Sequence, residues 1–417
     1  MKIMQIEGGR DLSGTIRISG AKNATVALIP AAILTDEEAT ICNIPEITDT
    51  DALCDILKAL NVNVNRASES LVIDPKNMQN IEIAEEYSKK LRASYYFMGA
   101  LLGKYKKAVM YFPGGCSIGA RPIDLHLKGF EALGATVTNE QNKYIVEAEE
   151  LHGANIYLDI ASVGATINIM LAAVRAKGKT VIDNAAKEPE IVNVATFLNN
   201  MGAKITGAGT STIKIEGVEH LHKCFHEVIP DRIEAGTYII IGALCGTPLK
   251  IDNVIAEHVD SLLSKLEEMG VDLEVGADYV IVSKPQTYKA TSIKTAVYPG
   301  FATDLQQPFT VLQTQCNGKS KTTETIWENR FMHVPYLKDL GANITVKNQT
   351  ATIIGPSKLK GTDVVATDLR AGAAMVAAGL KAEGKTTITS VEHILRGYEQ
   401  IVEKLTGVGA KITIKEI

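Results

Sequence analysis

Between Pro113 and His126 the chain reads PGGCSIGARPIDLH, its densest concentration of reactive and conformationally free residues. Gly114, Gly115 and Gly119 allow the backbone to take positive φ and to move. Cys116 stands among them, five residues ahead of Arg121. A guanidinium near a thiol stabilises the thiolate and lowers its pKa, which is how a loop cysteine becomes reactive. A loop cysteine by itself is more often inert; the glycine density and Arg121 bring the reactive reading level with that one. The spacing of Gly114 and Gly119 imitates a phosphate loop, but Ala120-Arg121 follows where Lys-Ser/Thr is needed, so a nucleoside-triphosphatase is excluded.

Other residues are suited to anions. In Ile18-Ser19-Gly20-Ala21-Lys22-Asn23, Gly20 permits close backbone approach and Lys22 places a charge at a helix start. Arg92, Arg232, Arg330, Arg370 and Arg396 are each able to grip a carboxylate or phosphate through two parallel hydrogen bonds. Taken one at a time, each is as well explained as a solvated surface arginine. The string His220-Leu221-His222-Lys223-Cys224-Phe225-His226 has metal-binding residue types at alternate positions. On one strand they would share a face, yet four ligands spread over about 20 Å cannot converge on a tetrahedral ion. No metal site is expected, and HExxH is missing.

The elements that must position these residues repeat. FEALGATV, FLNNMGAKI, LEEMGVDL, LKDLGANI and LTGVGAKI each run from an amphipathic helix through a glycine into a β-branched strand. Gly134, Gly202, Gly270, Gly341 and Gly409 thus recur about every 70 residues, and LKALNVNV adds a sixth, weaker copy with Asn61 in the glycine's place. Gly or Asn at that point predicts a left-handed helix end. Each unit reads as a mixed β/α module with at least two helices, six modules grouped as two domains of three. The period is too long for a common solenoid.

Bulk properties narrow the function. The 417 residues suggest two or three domains, and 46% hydrophobic with 22% charged residues is ordinary for a globular protein. A net charge of -5 offers no global attraction for nucleic acid or an anionic membrane, so anionic ligands must be held by local cations. The start MKIMQIEGGRDLSG does not read as a secretory leader, and no apolar run reaches the length of a membrane span. Cysteines 42, 54, 116, 224, 245 and 316 are scattered without a CxxC, which fits a reducing cytoplasm. Asn23-Ala24-Thr25, Asn343-Ile344-Thr345 and Asn348-Gln349-Thr350 match a glycosylation pattern that carries no weight without secretion.

These motifs resemble one family. SGAKNA (19–24), LRAS (91–94), PGGCSIGARPIDLH (113–126), SVGAT (162–166), EPEIV (188–192), PDRIEAGT (230–237), ATDLQ (302–306), ENRFMHVP (328–335), ATDLRAG (366–372) and HILRGYE (393–399) are similar to those of the UDP-N-acetylglucosamine 1-carboxyvinyltransferases. They extend over essentially the whole chain. The resemblance implies the enolpyruvyl transferase fold, a two-domain inside-out α/β barrel built from six repeated β-α units. It places residues 1–21 with 231–417 in one domain and 22–230 in the other, with ligands bound where the domains meet. It implies transfer of the enolpyruvyl group of phosphoenolpyruvate to the 3-hydroxyl of UDP-N-acetylglucosamine, the first committed step of peptidoglycan synthesis, in the cytoplasm. No metal, organic cofactor, nucleic acid, membrane or obligate protein partner is implied.

Site residues follow by the same resemblance. Cys116 corresponds to the loop cysteine that adds to phosphoenolpyruvate and is alkylated by fosfomycin. Lys22, Arg121 and Arg396 would hold the phosphate and carboxylate of phosphoenolpyruvate, and Asp304 would stand near the sugar 3-hydroxyl as general base. Asn23 would contact the sugar or the tetrahedral intermediate; Arg330, Asp368 and Arg370 would be further substrate-site residues. Arg92, Pro122, Ile123, Asp124, Leu125, His126, Ser162, Val163, Gly164 and Ile326 would bind the uridine and diphosphate. Adding an alcohol across an enol double bond needs a proton delivered to the methylene carbon and one removed from the hydroxyl, hence an acid and a base. The cations fit electrostatic stabilisation of the phosphate and carboxylate. Two positions depart from some relatives: Ile160 replaces a lysine and Tyr96 a tryptophan. Two alternatives stand beside this reading, the sister reaction on shikimate 3-phosphate and a non-catalytic duplicate acting as sensor or scaffold. The cysteine loop weighs against the first, and the presence of Lys22, Cys116, Arg121, Asp304 and Arg396 against the second.

Overall fold

The computed structural model describes residues 2–67, 69–112 and 123–416. All six repeat positions end a helix in the left-handed region, with φ of 60° at Asn61, 96° at Gly134, 101° at Gly202, 85° at Gly270, 104° at Gly341 and 100° at Gly409. A side chain other than Asn would be strained there, which is why the motif is legible as a glycine. A strand follows each time, beginning at Asn63, Thr136, Lys204, Asp272, Asn343 and Lys411.

The described residues divide into two compact units, residues 20–112 with 123–229 and residues 2–19 with 230–416. In the first, the helices Lys22–Ala31, Tyr96–Tyr105 and Val163–Ala173 are apolar on nearly every side and buried almost throughout. The second has three counterparts, Arg232–Cys245, Thr303–Gln313 and Leu369–Lys381, which pack on one another. Sheets cover these helices, three in each unit among the described residues. Their strands alternate buried and exposed residues, as in Thr212–Glu216 and Lys411–Glu416, so one face meets the helices and the other water. Five of the six sheets combine parallel and antiparallel pairing, and the sixth, Lys107–Tyr111 with Lys143–Glu147 and Thr136–Glu140, is antiparallel.

Three strands close the units from far away in sequence. Cys224–Glu227 lies parallel to Ala39–Cys42 and completes a sheet of the first unit. Leu12–Arg17 lies parallel to Gly246–Asp252 in the second, and Lys2–Glu7 sits between Lys385–Thr389 and Lys411–Glu416. The amino-terminal strands are therefore integral to the unit formed mainly by the carboxy-terminal half. The histidine-rich string does not form one strand. Only Cys224–Glu227 is extended into a sheet, and His226 turns inward to Asn193 and Asn200.

The inner helices approach closely because small residues line the contact. A Cβ on Gly99 would lie 2.3 Å from the Asn168 carbonyl oxygen, and one on Gly103 would lie 2.8 Å from that of Leu171. Gly99→Ala should therefore destabilise the protein by about 1–3 kcal/mol through overpacking. Gly407→Ala, where a Cβ meets nothing within 4 Å, should shift stability by less than about 1 kcal/mol. Urea unfolding of both variants checks the pair; equal effects would contradict the packing.

Candidate active site

Several of the sequence-predicted residues stand at or next to the starts of the inner helices. In the unit of residues 20–112 and 123–229, Lys22 and Asn23 open the helix Lys22–Ala31, with Lys22 Nζ 3.1 Å from Asp49 Oδ2. Gly20, expected to let backbone approach a ligand, instead lies against the protein: its Cβ would sit 1.7 Å from the Asn43 carbonyl oxygen. Arg92 opens the tight turn Arg92–Tyr95 that leads into Tyr96–Tyr105, and its guanidinium lies 6.0 Å from the Tyr95 ring centre. Tyr95 in turn meets His126 edge-on at 5.0 Å. Ser162 caps the helix Val163–Ala173, its Oγ accepting from Ala165 N at 3.3 Å. Next to it, Gly164 is so close to Tyr95 and His126 that a Cβ would lie 2.9 Å from Tyr95 Oη and 3.1 Å from His126 Nε2. Arg92, His126, Ser162, Val163 and Gly164 thus form one neighbourhood beside a helix amino terminus, a setting that favours anions. Ile123 precedes the helix Asp124–Ala132, which carries Asp124, Leu125 and His126 into the same region.

Asn168 organises this neighbourhood and was invisible in the sequence. Its Oδ1 accepts from Gly99 N at 2.9 Å, which fixes the amide orientation. Nδ2 then donates to the Tyr95 carbonyl at 2.9 Å and faces His126 Nδ1 at 2.9 Å. Nδ1 must therefore accept, and the proton of the neutral ring sits on Nε2. Burial, aided by the charge of Arg92, pushes His126 down to about 3, so it stays neutral at physiological pH.

The other unit holds a charged cluster at three helix starts. Asp304, the second residue of Thr303–Gln313, accepts from Arg330 Nη2 at 2.5 Å on Oδ1 and pairs with Arg370 Nη2 at 3.1 Å on Oδ2. Arg330 and Arg370 are buried, whereas the Asp304 side chain is 27% exposed, so the carboxylate is the accessible member. Burial opposes the charge on Arg370, but Asp304, Tyr398 and Asp231 outweigh it and raise its pKa above the ordinary range. Arg370 Nη1 also donates to Tyr398 Oη at 3.2 Å, and Tyr398 Oη shares a hydrogen bond with Thr237 Oγ1 at 2.9 Å. Asp368 caps Leu369–Lys381, accepting from Arg370 N and Ala371 N at 2.8 and 3.0 Å, with Gln307 Nε2 at 3.4 Å from its other oxygen. Asp231 caps Arg232–Cys245 in the same way.

Arg396 is half-buried at the end of the short helix Glu392–Leu395, on the turn that delivers Tyr398 to Arg370. Arg232 lies over the Tyr298 ring at 5.5 Å. Ile326 is half-buried in the loop leading to Arg330. Cys116, Arg121 and Pro122 lie outside the described residues. Of the two departures, Ile160 is exposed and Tyr96 is buried in the inner-helix core. Tyr96 is thus a packing position. Among the described residues, no group of His, Cys, Asp and Glu is arranged to hold a metal ion.

The comparisons with known proteins agree along the full chain. The profile of the family described as EPSP synthase (3-phosphoshikimate 1-carboxyvinyltransferase) matches residues 6–405. The solved enolpyruvyl transferase NikO from Streptomyces tendae superposes with a TM-score of 0.90 at 28% identity, covering 99% of both chains. EPSP synthase from Acinetobacter baumannii superposes at 0.78 over 100% of both chains with 17% identity, a likeness of fold alone. The class is an enolpyruvyl transferase. The protein described as UDP-N-acetylglucosamine 1-carboxyvinyltransferase 2 in Geobacillus kaustophilus is 57% identical over 412 residues, 99% of this chain and 96% of that one. Its namesake in Listeria monocytogenes is 55% identical over 408 residues, 98% and 96% of the two chains. The chain therefore belongs to the UDP-N-acetylglucosamine 1-carboxyvinyltransferase family.

The buried histidine gives a pH test. The ordinary imidazole value is 6.5, so above it His126 is neutral in folded and unfolded chains alike. Below it the unfolded chain takes a proton that the folded chain refuses until about pH 3, and stability falls as pH falls. This one residue removes about 1.4 kcal/mol per pH unit across that window. His126→Gln lacks the effect, so the stability gap between wild type and variant should narrow as pH falls from 6.5 to 4 in urea titrations. A gap independent of pH would contradict a buried neutral ring.

Proposed function

We propose that this protein transfers the enolpyruvyl group of phosphoenolpyruvate to the 3-hydroxyl of UDP-N-acetylglucosamine, releasing phosphate. The observation that carries the reading is 57% identity over 412 residues to a transferase named for that acceptor. The sister acceptor, shikimate 3-phosphate, is favoured less, because the solved EPSP synthase shares only 17% of its residues with this chain.

The reaction is an addition followed by an elimination. The sugar oxygen bonds to C2 of phosphoenolpyruvate while C3 gains a proton, giving a tetrahedral phosphate ester. Loss of a proton from C3 and of phosphate from C2 then restores the double bond. Asp304 is the proposed base for the hydroxyl proton. Its pairing with Arg330 and Arg370 points both carboxylate oxygens in defined directions, the condition for efficient proton transfer. Lys22, Arg121 and Arg396 would hold the phosphate and carboxylate, and Asn23 would contact the sugar or the intermediate. Arg92, Pro122, Ile123, Asp124, Leu125, His126, Ser162, Val163, Gly164 and Ile326 would bind the nucleotide, with His126 offering a fixed Nε2–H donor. Arg330 and Arg370 act through Asp304, and Asp368 through the helix start it caps. The roles of Cys116, Arg121 and Pro122 rest on the motif resemblance. The proposed setting is the cytoplasm; among the described residues no helix is long and apolar enough to cross a membrane.

Phosphate release from phosphoenolpyruvate tests the reading. It should require UDP-N-acetylglucosamine, and shikimate 3-phosphate should not substitute; the opposite preference would overturn the assignment. Asp304→Asn should keep the fold and lower kcat by about 10²–10⁴-fold, the usual scale for loss of a general base. Cys116→Ala should lose most turnover and all labelling by fosfomycin. Cys116→Asp should keep turnover, because a carboxylic acid can also deliver a proton, yet resist the drug. Full labelling of the aspartate variant would refute a thiol target.

A further inference from the structure

Glu324 follows directly on the strand Cys316–Thr323 and is 1% exposed. A carboxylate taken so far from water persists only when its oxygens are saturated with donors. Its Oε1 accepts from Thr295 Oγ1 at 2.9 Å, Ile326 N at 2.8 Å and Trp327 N at 3.3 Å. Its Oε2 accepts from Thr303 Oγ1 at 2.9 Å. The two oxygens therefore hold two different segments. Oε1 folds back the loop that runs on to Arg330, and Oε2 ties down the first residue of the helix whose second residue is Asp304. Asp304 and Arg330 then meet at 2.5 Å. Thr325 braces the arrangement, donating to Thr295 Oγ1 through its N–H at 2.8 Å and to the Thr295 carbonyl through its hydroxyl at 2.6 Å.

We propose that Glu324 is a positioning residue for the transfer reaction: both halves of the Asp304–Arg330 pair hang from one buried carboxylate, which sets where the Asp304 oxygens point. This rests on the reading that Asp304 acts on the acceptor hydroxyl. Loss of either anchor lets the pair shift by a fraction of an ångström, which costs turnover more than substrate affinity because proton transfer depends steeply on geometry.

The test uses the full chain and steady-state kinetics with phosphoenolpyruvate and UDP-N-acetylglucosamine, with active enzyme normalised to the folded fraction. Thr303→Val removes one anchor without changing volume; kcat should fall about ten-fold or more while both KM values stay within about two-fold. Thr303→Ser keeps the hydroxyl and should restore kcat. Glu324→Gln should retain most of kcat, since its Oε1 keeps the three loop donors and its Nε2 donates to Thr303 Oγ1. Glu324→Ala should fall at least as far as Thr303→Val. Normal kcat in Thr303→Val and Glu324→Ala, alongside lost turnover in Asp304→Asn, would overturn the proposal and leave Asp304 as the base. Normal turnover in Asp304→Asn would remove the base reading, and the proposal with it.

Discussion

A helix buried on every side has only its ends to offer. Each unit is built around three such helices, and their side chains are spent on packing from the second turn onward. Polar and charged groups on these helices therefore collect at the first turns, where backbone N–H groups lack intrahelical partners and the dipole favours negative charge. Lys22, Tyr95, Gly164, Arg232, Asp304 and Arg370 all stand at or within two residues of these starts. For a reaction whose substrates carry phosphates and a carboxylate, that is the useful end of the helix. The close approach at Gly99 and Gly103 and the dense helix packing make these ends rigid.

Rigidity matters because the charges are not solvated. Arg330 and Arg370 are almost inaccessible, and removing one partner of such a pair leaves an uncompensated buried charge. The same logic governs Glu234, which burial pushes up to about 7 against the pull of Lys404 Nζ at 2.6 Å from its Oε1. Ser19 N donates to the other Glu234 oxygen at 2.9 Å, tying the amino-terminal segment to the helix Arg232–Cys245. Each buried charge thus locks together segments distant in sequence. On this scaffold the accessible carboxylate of Asp304 has few alternative orientations.

Local rules made part of this legible. The six left-handed helix ends could be read because φ near 60–100° selects Gly or Asn, and the spacing of that one choice exposed the repeat. Motif resemblance singled out Lys22, Asp304, Arg370 and the residues around His126, and the first three stand at helix starts. Long-range pairing was not legible from local pattern. Nothing in LSGTIR marks it as a neighbour of residues 246–252, more than two hundred positions away. Nor could composition reveal Asn168 and Glu324, since a buried polar residue looks like an exposed one until its donors are in place. Gly20 was read for a ligand and serves the backbone of Asn43 instead; a glycine signals close approach without saying to what.

The proposed reaction depends on protonation of the enol carbon coupled to removal of the acceptor proton. Turnover in D₂O, followed by proton NMR of product and residual phosphoenolpyruvate, reads both steps at once. An addition that delivers a solvent proton to C3, followed by an elimination that removes one, predicts deuterium in the vinyl methylene of the enolpyruvyl product. Asp304→Asn should show almost none over the same time. A product whose methylene carries no solvent deuterium would contradict the account.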